Sequence, residues 1–317
     1  MPVNTSEQNF FKLLATQAKE NPNTKPISEM TLEEFRAGVS AMLKYAGKPF
    51  AIEFKDTFMP ARDGYQIPVR IYNPNTNKTE PVFIWYPVNG YILDFYEVNT
   101  VICSRLAKFL GIKVIIPNIR LAPEHPLPIP IYDGYDVTHY ISANAKQLGI
   151  DPNKIFIGGA SSGGNCAAVI SSLVRKTHDF KIHHQILLNG LFDISQSNHD
   201  YESYEKQDLI STKEQANFIY SHFGIKQKDY KNPLFSPYYE TDLTGLPPTT
   251  IIVGEYDGIR SNSEAYYKKL KAAGHKVEKI LLPGQTHTTI VYRGVMTDGE
   301  DPAKVIANVI KRDLNNK

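Results

Sequence analysis

The sequence predicts an α/β fold, with a mostly parallel central sheet flanked by helices and a helical cap. Three observations lead there. Short apolar runs alternate with helical segments from about residue 80 to the end. Two helix-patterned stretches precede any strong strand. One long segment between strands, residues 193–246, carries no strand pattern.

In chain order, residues 7–19 and 31–45 each show one apolar stripe at helical spacing. Thr31 with Glu34 fits a capping box. The NPNTKP segment between them reads as a turn. AIEFKDTFMP and YQIPVRIYNP read as two strands joined through ARDG, an antiparallel edge on a mixed sheet, and PNTNKT as a further turn. PVFIWYP, KVIIPNI, KIFIGGA, IHHQILLNG, TTIIVGE and VEKILLP then supply apolar strands. Helices are expected near 97–110, 131–147, 163–175, 261–274 and 303–314. The 193–246 insertion holds one possible helix around 213–223 and has the size of a lid. The expected division is 1–48 as an N-terminal helical part, 49–192 with 247–317 as the sheet-bearing domain, and 193–246 as an insertion of lid size.

At 317 residues the chain can bury a large core without metal or disulfide support. Lys plus Arg number 35 against 33 Asp plus Glu, so no nucleic-acid footprint stands out. The lysine-bearing stretches at 201–206 and 225–231 contain acids and read as solvated faces. Two isolated cysteines, Cys103 and Cys166, make neither a disulfide framework nor a metal site. No signal peptide stands out, and no run of 18 apolar residues exists. The expected setting is therefore cytoplasmic, without stable membrane insertion.

The chemistry-bearing segment is KIFIGGASSGGNCAAVI. Gly159-Ala160-Ser161-Ser162-Gly163 is G-x-S-x-G between a strand and a helix. A serine on so sharp a turn needs small residues two before and two after it, because backbone passes close there. The helix N-terminus beneath offers unpaired amides. A plain Gly/Ser loop or a phosphate cradle is the competing reading. No G-x-x-x-x-G-K-[ST] or G-x-G-x-x-G supports phosphate here.

A serine hydroxyl needs a base, and the base an orienting acid. Asp257 follows the TTIIVG strand, and His287 follows VEKILLP. In a parallel sheet the C-terminal strand ends share one edge, so Ser161, Asp257 and His287 are expected to converge. Asp257 could instead cap a helix. Glu255 should point away from its neighbours, His183 and His184 suit core or surface roles, and His125 suits loop packing.

These segments together resemble the α/β-hydrolase superfamily, and within it the hormone-sensitive-lipase-like esterases and lipases. The resemblance spans roughly residues 50–317. It rests on the loop after PVFIWYP and on Arg120-Leu121-Ala122-Pro123-Glu124-His125-Pro126 with Pro128 and Asp133. It rests also on the serine turn with Gly164-Asn165 behind it. Leu246-Pro247-Pro248, Gly254-Glu255-Tyr256-Asp257, Arg260 and Gly284-Gln285-Thr286-His287 complete it.

The resemblance implies Ser161 as nucleophile, His287 as base and Asp257 as its partner. It implies an oxyanion hole from the backbone N–H groups of Asn89, Gly90 and Ser162. Glu124 and Asp133 would be buried structural acids, with Arg120 as their ion partner. It implies no cofactor or metal, a small-molecule ester as substrate, and a possible homodimer.

Three departures stand out. Pro87-Val88-Asn89-Gly90 replaces the family's His-Gly-Gly-Gly, Ala160 replaces an Asp, and Thr288-Thr289 replace Gly and an aromatic. Asn89 tolerates unusual φ better than most residues, and Val88 needs only a β-region backbone, which it prefers. The expected activity is a serine carboxylesterase on short acyl esters. The altered loop leaves open a weak or inactive ligand-binding protein, or a hydrolase of an atypical ester or amide.

Overall fold

The computed structural model describes residues 2–20, 25–73, 75, 78–200 and 210–315. The turns expected at 21–26 and 74–79 lie partly outside these residues. So does part of the 193–246 insertion, and the 201–206 charge run lies wholly outside.

Eight strands form one sheet: β1 (Phe54–Pro60), β2 (Gln66–Tyr72), β3 (Glu80–Tyr86), β4 (Lys113–Pro117), β5 (Ile150–Ala160), β6 (His184–Leu188), β7 (Thr249–Gly254) and β8 (Val277–Leu282). Their spatial order is β1-β2-β4-β3-β5-β6-β7-β8. β1 pairs antiparallel with β2, and β2 antiparallel with β4. Every other pairing is parallel. Parallel strands need crossovers that cover both faces, which explains strands buried along their whole length. Val82 to Tyr86 and Phe156 to Gly158 are inaccessible to solvent, or nearly so.

The helices are α1 (Thr5–Glu20), α2 (Leu32–Ser40), α3 (Tyr96–Leu110), α4 (Ile129–Ala143), α5 (Ser162–Thr177), α6 (Lys213–Ser221), α7 (Arg260–Ala272) and α8 (Pro302–Asn315). The Thr31 and Glu34 capping box is present in full at the start of α2. α2 ends five residues before the expected limit. Its carbonyls pass to tighter bonds, with the amide of Met42 on Val39 O, and the chain continues as a 3₁₀ turn at Leu43–Tyr45. α4 stops at Ala143, not 147, because Asn144 turns its side-chain amide back onto Tyr140 O at 2.9 Å.

The N-terminal helical part and the segment inserted after β6 are in contact. Phe35 of α2 packs on Phe218 of α6, ring centroids 4.7 Å apart, and the amide of Ser28 donates to Glu214 Oε1 at 3.1 Å. Phe10 of α1 lies against Tyr45 and Tyr292. Both cysteines are buried and free. Among the described residues no helix is long and apolar enough to cross a membrane.

Candidate active site

Ser161 stands between β5 and α5 at φ 53° and ψ −117°, a region that L-residues avoid. Two glycines make that turn possible. A Cβ on Gly159 would lie 2.4 Å from the Gly163 backbone, and one on Gly163 would lie 2.2 Å from Tyr86 O. This is the close backbone passage that the G-x-S-x-G spacing implies. The Ser161 amide is anchored on Leu188 O at 3.0 Å, at the end of the neighbouring β6.

Asp257 is fully buried past the end of β7. Its Oδ1 lies 2.8 Å from His287 Nδ1 and accepts the Ile259 amide at 2.9 Å. α7 begins only at Arg260, with Ile259 in the N-cap position, so Asp257 is not its cap residue. Glu255 points elsewhere, as alternation requires, and accepts the Gly284 amide at 2.8 Å. His184 is buried at the far end of β6, between Asp313 and Thr250.

Ser161 and His287 line one cleft of about 860 Å³, its open mouth included. Its walls are mainly apolar. Val88 and Leu93 come from the loop after β3, Val39 and Met42 from the N-terminal part, Ile219 and Tyr220 from α6. The N-terminal part, the insertion and the loop after β3 thus line a single space.

The loop after β3 departs from expectation. Positive φ falls on Gly90 (55°) and Tyr91 (60°), and Asn89 does not need it. Asn89 instead uses its side chain, whose Oδ1 accepts the Tyr91 amide at 2.9 Å and so stabilises the turn. Val88 is held by Asn99, which accepts its amide at 2.9 Å. The amides of Asn89 and Gly90 converge on one atom, the Oγ of Ser162, at 3.1 and 2.9 Å.

Asp133 is fully buried and bound by Arg120 at 2.6 Å, as the resemblance implies. Glu124 corrects that reading. It is a surface residue, its side chain 55% exposed, and its partner is Arg36 at 2.6 Å, not Arg120. Arg120 also donates from Nη1 to Asp63 Oδ2 at 2.7 Å. Bonding to Arg36 pulls the Glu124 carboxyl down to about 2.

Four positioning contacts have no counterpart in the sequence reading. Arg36 of α2 also donates to Ile92 O at 2.7 Å and Ala122 O at 2.9 Å, tying the cap to two site loops. Asn189, at the end of β6, accepts the Gly254 amide and donates to His287 O at 3.1 Å. Thr289 donates to the buried Glu7 of α1 at 2.6 Å, coupling the histidine loop to the N-terminal helix. The fourth is the Ser162 hydroxyl. An Asn-Gly pair closing a strand was the one local signal available for any of them.

Residues 85–291 match the family model described as alpha/beta hydrolase fold. The chain belongs to the alpha/beta hydrolase fold family. It is an enzyme of the serine hydrolase kind. It is 27% identical over 288 residues to an arylesterase of Saccharolobus solfataricus, covering 90% of this chain and 92% of that protein. It is 31% identical to the carboxylesterase NlhH of Mycobacterium tuberculosis over 70% of each chain. Among solved structures, a hyperthermophilic esterase from the archaeon Pyrobaculum calidifontis superposes with a TM-score of 0.87. That pair is 28% identical, and the match covers 98% of this chain and 99% of that one.

Proposed function

We propose that the protein is a carboxylesterase acting on small, short-chain acyl esters. Ser161 attacks the ester carbonyl, and His287 takes its proton. The buried Asp257 orients the imidazole and balances the charge that forms on it. The collapsing tetrahedral intermediate takes the proton back from His287 to the leaving alcohol. Water activated by His287 then releases the acyl group from Ser161. The amides of Asn89, Gly90 and Ser162 hold the oxyanion.

The observation that carries this reading is the 2.8 Å bond from a fully buried Asp257 to His287, with His287 and the strained Ser161 on one cleft. Esterases among the relatives support the ester class. The mainly apolar lining, Val88 included, suits an uncharged acyl group.

The test compares kcat/KM for p-nitrophenyl acetate, butyrate and octanoate in native protein and Ser161→Ala. Acetate and butyrate should be preferred, and Ser161→Ala should lose at least about 10³-fold. A second reading, a ligand-binding protein of this fold, is favoured by one observation: two of the three oxyanion donors already bond Ser162 Oγ. Absence of Ser161-dependent hydrolysis, with a small molecule bound in the cleft, would install that reading instead.

A further inference from the structure

The Ser162 side chain is completely buried, and the two residues whose amides reach its Oγ, Asn89 and Gly90, line the cleft. Two backbone N–H groups aimed at one oxygen, 3.1 and 2.9 Å away, have the geometry of an oxyanion hole with an oxygen already in it. The hydroxyl also has somewhere to send its own proton, since Asn89 Oδ1 lies 3.2 Å from Oγ. All three bonds close a small ring between the loop after β3 and the first turn of α5.

We infer that the Ser162 hydroxyl is a resident occupant of the oxyanion hole, which the reacting carbonyl oxygen must displace. The inference rests on the esterase reading above. An N–H has one hydrogen, so a substrate oxygen within about 2.7–3.1 Å of the same two nitrogens competes directly with Oγ. Water in an open hole leaves readily, but a tethered hydroxyl stays close. One turn about χ1 carries Oγ to another staggered position and frees both amides.

A neutral ester carbonyl offers no better acceptor than the hydroxyl. A developing oxyanion does, because bonds to a charged acceptor are about twice as strong. Ser162 therefore weakens binding of the ground state and yields to the transition state. Its amide remains a donor throughout.

The test is kcat/KM, with kcat and KM resolved, for p-nitrophenyl butyrate in native protein, Ser162→Ala, Ser161→Ala and the double variant. Ser162→Ala should raise kcat/KM on the order of tenfold, with KM lowered and kcat not reduced, and the gain should vanish in the double variant. Hydrolysis that appears only in Ser162→Ala supports the inference equally. An unchanged or lower kcat/KM in Ser162→Ala, with Ser161-dependent hydrolysis intact in the native protein, overturns the inference and leaves the esterase reading standing. No Ser161-dependent hydrolysis in either form overturns both.

Should Ser162→Ala not fold, a structure of the native protein inhibited by ethyl p-nitrophenyl butylphosphonate decides the matter. The phosphoryl oxygen should take both amides, with Ser162 Oγ turned away. Oγ still bonded to both amides in the adduct overturns the inference. Failure of the phosphonate to join Ser161 overturns the esterase reading with it.

Discussion

The methyl of an alanine at position 163 would press to 2.2 Å from Tyr86 O, and neither backbone can give way without moving β3 or α5. Gly163→Ala should therefore destabilise by more than about 3 kcal/mol or block folding, read as a fall in melting temperature. A variant melting within a degree or two of native protein would contradict the account of the turn. This feature was legible because G-x-S-x-G states a backbone requirement within five residues. The Ser162 hydroxyl was not. Its partners lie 72 and 73 residues away, and no local pattern distinguishes a side chain that closes a hole from one that faces solvent.

A second prediction at this scale concerns His199. Burial pushes its imidazole down to about 4, and Asn262 holds its Nε2. The unfolded chain, with an ordinary histidine near 6.5, binds the proton first as pH falls. The full contribution is present above about 6.5 and is lost progressively as pH falls toward about 4, amounting to at most roughly 3 kcal/mol. His199→Gln should flatten the melting-temperature profile between those limits. Identical slopes in the two proteins would rule out this role.

Between elements, the ties that matter are few and long in sequence. Arg36 reaches Glu124 across 88 residues and fixes α2 against the loop after β3. Proximity within one sequence motif points to Arg120 as the partner of Glu124. The fold instead gives Arg120 to a fully buried carboxylate, where an unpaired charge would be far more unfavourable. An ion pair as exposed as Arg36–Glu124 contributes about 0–1 kcal/mol, so its importance is positional. Arg36→Met keeps the apolar stem and removes the donors. It should change melting temperature little while raising KM several-fold. Native KM in a folded variant would show that α2 needs no such tie.

Across the whole molecule, the sheet was legible because alternation of apolar strands with helices is a chain-long signal. The contact between the N-terminal part and the insertion was not legible residue by residue, because it depends on pairs such as Phe35 with Phe218 that have no shared local pattern. Their joint role sets the last prediction. Phe10, Phe11 and Phe35 are all buried, and at about 1.5–3 kcal/mol each they contribute roughly 5–9 kcal/mol, comparable with the stability of an ordinary domain. They cover Tyr292 and Phe218, while Val39 and Met42 of the same segment wall the cleft. Glu7 meanwhile holds the loop that carries His287. Removing residues 1–45 should therefore strip apolar cover and one cleft wall together. The truncated protein should aggregate or melt at least 10 °C lower, and any folded fraction should lose at least tenfold in kcat/KM for short esters. Unchanged melting and unchanged kinetics would mean that the sheet and the 193–246 insertion build the site without the N-terminal part.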